Sequence, residues 1–447
     1  MEQRSESTKT GRRVFFRRVA MAGGVVSLLT GADTLRHGDG KYPLCAGVGV
    51  RDITPPLDVG ILMSSGRQLW EPFEGVRLPL QARALVVEQE DRRIALVSLD
   101  LLGLAGKAVG GWSGFKRQVL TAADDVVTAD DLVLASTHTH GGPESIALTD
   151  LFRTQAFKTW VGDLARSIGA AIKNAARSVR PCRPMVASRN APELSVNRRI
   201  KTTRGIASVR QKLPPGVVIG PEGPVDDGVR VTAFIDPSDQ PIAILVNFTA
   251  HPVLEMCIKK VSPDYPGEMN RELERRHPGT VAMFLQGACG NINPPTMERG
   301  AANSRRYGQR LAAIVHDAMS DLQPLDGDEL GLRWKTVRLP RRDVHGLPES
   351  KPLEIRIGAA RLGNAAFVFL PGEPFVEIAL ALRRASPWKF TAVVGYAEDY
   401  IGYIPTDRAF INGGYEIGPG RWSQVARGSE SIVCRGAIEL VSALKVP

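Results

Sequence analysis

Residues 131–143 read DLVLASTHTHGGP: an apolar run, two histidines one residue apart, and a Gly-Gly-Pro turn. Asp131 to Ala135 has the length and composition of a short buried strand that stops at the turn. Alternate residues of a strand point to one side, so His138 and His140 are expected to project together. Two imidazoles at a strand end suit a metal site, or one metal ligand beside one acid/base group. Two hydrogen-bonded loop histidines would give the same pattern. The chain has only seven histidines.

The same succession recurs along the sequence. Arg93 to Leu99 reads as a strand ending at Asp100, and Pro241 to Phe248 as a fully buried strand ending before His251. Val281 to Gln286 runs into Gly287–Gly290 and then Asn291 and Asn293. Leu353–Ile357, Ala366–Leu370 and Phe390–Val394 complete the strands, with Glu373 and the Tyr400–Tyr403 group just beyond two of them. Helical periodicity spans Thr154–Ser178, with Trp160, Leu164, Ile168 and Ile172 on one stripe. It returns at Arg305–Leu322, Phe375–Ala385 and Ser429–Leu444. Near-continuous apolar strands among helices indicate an α/β (mixed α+β) fold, a layered sandwich of mixed β-sheets flanked by helices. Pro214–Gly228 is rich in Pro and Gly but is flanked by strand-like runs, so 38–447 reads as one large domain. Polar turns at five strand ends point to one shared site, since ligands gather where loops converge over a sheet.

Composition narrows the function. The 447 residues are 43% hydrophobic and 23% charged, as in globular proteins. The net charge of +10 is partly local, because residues 1–37 hold seven Lys/Arg against three Asp/Glu. The remaining excess is scattered without interleaved aromatics, so nucleic acid is not an expected partner. Arg12-Arg13 and Phe15-Phe16 precede an apolar stretch, Val19–Ala32, too short to span a membrane. Residues 1–37 therefore resemble a twin-arginine export signal, and the expected location is periplasmic or extracellular. With no clean cleavage site, anchoring by an uncleaved signal and peripheral membrane contact stay open. The five cysteines (Cys45, Cys182, Cys257, Cys289, Cys434) form no C-x-x-C pair and are expected as buried thiols.

Read together, ASTHTHGGP, VNRR (196–199), NFTAHP (247–252), SPDYPGEM (262–269), QGACGNINP (286–294), LPGEPF (370–375) and Tyr400–Glu416 resemble the catalytic domain of the neutral (non-lysosomal) ceramidase family of zinc amidases. The resemblance covers about Ala46 to Gly418. It implies zinc held by His138, His251, Glu373 and Tyr403, with His140 as acid/base. Arg198 and Tyr415 would hold and polarise the substrate carbonyl. Imidazole and carboxylate are ordinary zinc ligands, and zinc brings the pKa of a water down to roughly 7. The expected function is hydrolysis of a ceramide or N-acyl amide by zinc-activated water, on a small-molecule or lipid substrate. His277, His316 and His345 receive no role.

Two departures bear on specificity. Where the family usually carries a serine, this chain has Asn293, which cannot be an acylated nucleophile yet can hydrogen-bond a substrate. The chain also ends soon after its last helix, so the C-terminal β-sandwich usual in the family is not expected. A non-sphingolipid ester or amide of the cell envelope is the alternative substrate, and a non-catalytic zinc- or ligand-binding homologue the alternative role. The oligomeric state is left open.

Overall fold

The structure is a computed structural model that describes residues 44–445, apart from 61–70, 210, 257, 296–297, 343–350 and 419. The proposed signal, His345 and Cys257 lie outside the described residues. An antiparallel meander comes first: β1 (Leu44–Asp52), β2 (Gln81–Gln89) and β3 (Arg92–Leu99). After α1 (Trp112–Ala122), β4 (Leu132–Ser136) joins β3 in parallel. Helix α2 (Gln155–Arg177) is capped by Thr154, whose side chain accepts from Phe157 N. Its apolar stripe, including Trp160, Leu164, Ile168 and Ile172, is buried as its spacing predicts.

β5 (Arg180–Asn190) returns beside β1 and leads into β6 (Val196–Asn197). A small sheet follows, β7 (Arg199–Thr202), β8 (Gly205–Ser208) and β9 (Val218–Pro221), with β7 central. β10 (Gly228–Ile235) and β11 (Pro241–Phe248) rejoin the main sheet, α3 (Asp264–Arg276) crosses over, and β12 (Val281–Gln286) pairs in parallel with β11. β13 (Ile292–Asn293) pairs with β6, then come α4 (Ala301–Ala318) and β14 (Gln323–Pro324), which pairs with β5. The main sheet thus runs β12-β11-β10-β5-β1-β2-β3-β4, with β14 at its side.

The second half builds another sheet from β15 (Leu330–Leu339), β16 (Leu353–Leu362), β17 (Ala365–Phe369) and, past β18 (Glu373–Pro374) and α5 (Val376–Ala385), β19 (Phe390–Val394). β20 (Tyr403–Ile404), α6 (Asp407–Asn412) and α7 (Ser429–Ala443) complete the described elements.

Four apolar clusters explain the layering. One face of the main sheet packs on α1 and α2 through Val97, Leu134 and Trp160, and on α3 and α4 through Val246, Met269 and Leu311. Its other face meets the second sheet through Leu85, Leu245, Phe367 and Phe369. Beyond that sheet lie α5 and α7, packed by Val368, Ile378 and Val433. The order is helix, sheet, sheet, helix, the layered mixed fold expected from the alternation. β11 is buried along its whole length because both of its faces are covered.

Close contact between β1 and α2 depends on Gly47 and Gly49, on one face of the strand. A Cβ at Gly49 would lie 2.1 Å from Ala171 O, and one at Gly47 would lie 2.2 Å from Ala175 O. By contrast, a Cβ at Gly162 on α2 meets only Arg166 Nη1, at 3.6 Å. Gly49→Ala should therefore destabilise by about 1–3 kcal/mol through overpacking. Gly162→Ala should be neutral or stabilise by up to about 1 kcal/mol. Urea unfolding of both variants checks this, and equal effects would contradict the proposed packing.

Candidate active site

The strand ends at one edge of the layers converge. β4 stops at Ser136 and the chain turns, with His138 in the left-handed region at φ 66°. The two histidines therefore do not project together by strand alternation. A turn brings them together instead, placing His138 Nε2 3.3 Å from His140 Nε2. His138 N donates to Leu101 O at 2.9 Å, and Thr139 Oγ1 donates to Ser262 O at 2.8 Å, which pins the turn to the SPDYPGEM segment. Gly141 pairs with Ser262 so closely that a Cβ there would lie 2.4 Å from Ser262 O.

Each buried imidazole is oriented by a carbonyl. His138 Nδ1 lies 2.6 Å from Leu102 O, and His251 Nδ1 lies 3.1 Å from Ile292 O. A carbonyl can only accept, so Nδ1 carries the proton and Nε2 presents a lone pair. Both Nε2 atoms face Glu373 Oε2, at 3.3 Å and 3.2 Å. Burial, then the Arg198 cation, hold the His251 pKa down to about 3, so the ring is neutral at ordinary pH.

Glu373 and Tyr403 are direct partners in a two-residue parallel pairing of β18 with β20. Tyr403 Oη accepts from Arg198 Nη2 at 3.0 Å, and Arg198 Nη1 lies 3.3 Å from His251 Nε2. Burial pushes the Tyr403 phenol well above its ordinary pKa, with Arg198 acting in the opposite direction. Arg198 is held by Glu416 Oε1 at 2.8 Å, while Arg199 bonds to Glu416 and Glu222 and donates to Gly413 O at 2.6 Å.

A cavity of about 390 Å³ opens onto this cluster, its wall including His140, Arg198, His251, Asn293, Tyr403 and Tyr415. Asn293 is 2% exposed, and among the described residues its Oδ1 has no hydrogen-bond partner. Tyr415 is 59% exposed at the mouth, stacked on Trp422 with ring centroids 5.5 Å apart. All eight residues singled out by sequence thus come together. His277 and His316 lie elsewhere, close to each other on α3 and α4.

Sequence reasoning missed the supports. Tyr400 Oη and Tyr396 Oη both donate to Glu373, the latter at 3.2 Å. The Tyr396 ring also stacks on His138, with centroids 4.0 Å apart. Cys289 Sγ is 3.0 Å from Tyr396 Oη. Glu416 was passed over beside Tyr415, although an acidic residue next to a named tyrosine could have flagged a partner for Arg198.

The cluster fits a divalent cation. His138, His140 and His251 offer nitrogens within 4.8 Å of one another, and Glu373 adds a buried carboxylate. Of the three imidazoles, His138 and His251 have the lone pairs facing Glu373, whereas His140 is half-buried in the cavity wall. Both the three imidazole nitrogens and the Glu373 carboxylate are donors of the kind a divalent cation takes.

Comparisons with known proteins identify the chain's relatives. Residues 44–315 match the family model for neutral/alkaline non-lysosomal ceramidase, N-terminal. The neutral ceramidase of Pseudomonas aeruginosa is 26% identical over 325 residues, covering 67% of this chain and 46% of the relative. The chain therefore spans about half the length of that curated relative. The crystal structure of neutral ceramidase from Pseudomonas aeruginosa superposes with a TM-score of 0.73 at 20% identity, covering 90% of this chain and 75% of that one. A second structure, a ceramidase complexed with C2, gives the same TM-score and coverage at 18% identity. With the family model matching well over half of its length, the chain belongs to the neutral/alkaline non-lysosomal ceramidase family.

Proposed function

We propose that this chain is a zinc-dependent hydrolase that cleaves an acyl amide bond, of ceramide or N-acyl amide type, with water as nucleophile. The observation that carries the reading is Glu373 Oε2 lying 3.3 Å and 3.2 Å from two carbonyl-fixed Nε2 atoms. Two ligand atoms bound to one tetrahedral zinc at ordinary bond lengths lie about 3.3 Å apart. Tyr403, in register with Glu373, would be a further residue holding the ion, at a site that must keep one more position open for water. Zinc held there would act as a Lewis acid and bring the pKa of a water to roughly 7.

The remaining steps belong to the chain's own side chains. His140 faces the cavity and takes the proton of the attacking water, then gives it to the departing amine. Arg198, kept cationic and fixed by Glu416, offers N–H donors to the carbonyl oxygen as charge develops on it. Tyr415 adds a phenol donor from the mouth. Asn293 contributes an amide acceptor for a substrate N–H or O–H. The family membership and the ceramidase relatives support this reading of substrate and reaction. Residues 1–37, with Arg12-Arg13 ahead of an apolar run, support an exported enzyme.

The purified full chain should contain one zinc per molecule and hydrolyse fatty-acyl amides until a chelator is added. A folded, metal-free preparation with undiminished turnover would rule the reading out. His251→Ala should lose bound zinc, whereas His140→Ala should keep zinc and lose turnover by roughly 10²–10⁴-fold. Metal analysis beside kinetics tests this, and the reverse pattern would exchange the two roles. Replacing Arg12 and Arg13 together by Lys should leave the protein in the cytoplasm on cell fractionation; unchanged export would remove the signal assignment.

A further inference from the structure

Exposed apolar side chains are concentrated on two segments, one of which reaches the cavity through Tyr415. Among the described residues, seven large hydrophobics are exposed. Five of them lie on two short segments: Val218, Ile219 and Val225 on one, Ile411 and Tyr415 on the other. The segments are joined. Asn412 Nδ2 donates to Glu222 Oε1 at 2.7 Å, and Arg199 Nη2 donates to Gly413 O at 2.6 Å. A Cβ at Gly414 would sit 3.2 Å from Ile206, which lines the cavity with Tyr415. They form one rim.

β9 is the edge of the small sheet, paired only with β7. Val218 and Ile219 are adjacent and so point to opposite sides, yet they are 52% and 64% exposed. That strand therefore stands clear of the body. An exposed apolar patch of this kind marks a contact surface, because water gains nothing from it.

Charge identifies the partner. Residues 200–221 contain four Lys/Arg and no acidic residue. Of these, Arg204 and Lys212 are exposed. The acidic neighbours Glu222 and Glu416 are occupied by Arg199 and Arg198. Cationic side chains beside protruding apolar ones are what an anionic bilayer surface attracts and then takes up.

We infer that the rim formed by β7–β9 and the α6–Tyr415 segment docks on an anionic lipid surface, with Val218 and Ile219 entering the headgroup region. The cavity mouth then faces the leaflet, so a lipid amide can reach it without crossing bulk water. No helix among the described residues is long and apolar enough to cross a membrane.

Flotation of the full chain with vesicles tests this. Vesicles of roughly one-third phosphatidylglycerol should bind the protein about tenfold more tightly than pure phosphatidylcholine, with binding weakened by salt. Val218→Asp combined with Ile219→Asp should lower that binding about tenfold, while Leu57→Asp, exposed at 42% on a different segment of the chain, should not. The double variant should still turn over a water-soluble short-chain N-acyl amide, which shows that it is folded. Equal binding by wild type and double variant would overturn the proposal, as would no binding to either vesicle. Binding to dextran sulfate that exceeds vesicle binding and ignores the double substitution would also overturn it, in favour of a soluble polyanion. Because flotation does not depend on turnover, vesicle binding by a protein inactive on every amide would sink the hydrolase reading alone.

Discussion

The structure is organised around a group of buried atoms that repel one another unless something positive sits among them. Two imidazole nitrogens, their lone pairs aimed by the Leu102 and Ile292 carbonyls, face one oxygen of Glu373. Leaving such groups unpaired in a dry interior costs several kcal/mol, by about the amount that breaking a buried ion pair does. The surrounding charge does not cancel it. Glu373, Glu416 and Glu222 bring three carboxylates against the two guanidinium groups of Arg198 and Arg199. A cation supplies what the protein alone lacks, which is the physical basis of the zinc proposal.

Holding that arrangement falls to residues outside the set itself. Tyr396 covers the His138 ring and shares Glu373 with Tyr400, so the carboxylate has little rotational freedom left. Glu416 bridges Arg198 and Arg199, coupling the Arg198 guanidinium to the small sheet through Glu222. Positioning by such supports is what gives a site its geometry, since ligands on free rotamers would scatter. The site, the cavity wall and the rim are thus mechanically continuous through adjacent arginines.

Much of the fold was legible because its strands are buried on both faces. β11 and β12 read as strands from their apolar runs, and α2 from a stripe that is buried where the spacing puts it. The element boundaries moved by a few residues, as at α4, which begins at Ala301 rather than Arg305. What composition could not give was which strand ends meet. The bond between Arg198 and Glu416 joins residues 218 apart in sequence, and no local pattern encodes it. Family resemblance filled that gap for the eight named residues. It did not reach Tyr396, which looks like any core aromatic in VVGYAED until its hydroxyl is seen on Glu373. The left-handed backbone at His138 was also invisible, because positive φ is uncommon in any residue but glycine and histidine's enrichment there is too weak to single out one position.

The pairing of β18 with β20 has a consequence for how this architecture can diversify. Glu373 and Tyr403 are locked opposite each other by main-chain register, so a slip of one position would turn both side chains away at once. The excursion from Thr202 to Val218, which carries β8, can change without disturbing that lock, because it pairs with neither β18 nor β20. Alteration of the cavity wall is thereby open to the excursion through Ile206 and Ser208, while the inner pair stands as a unit.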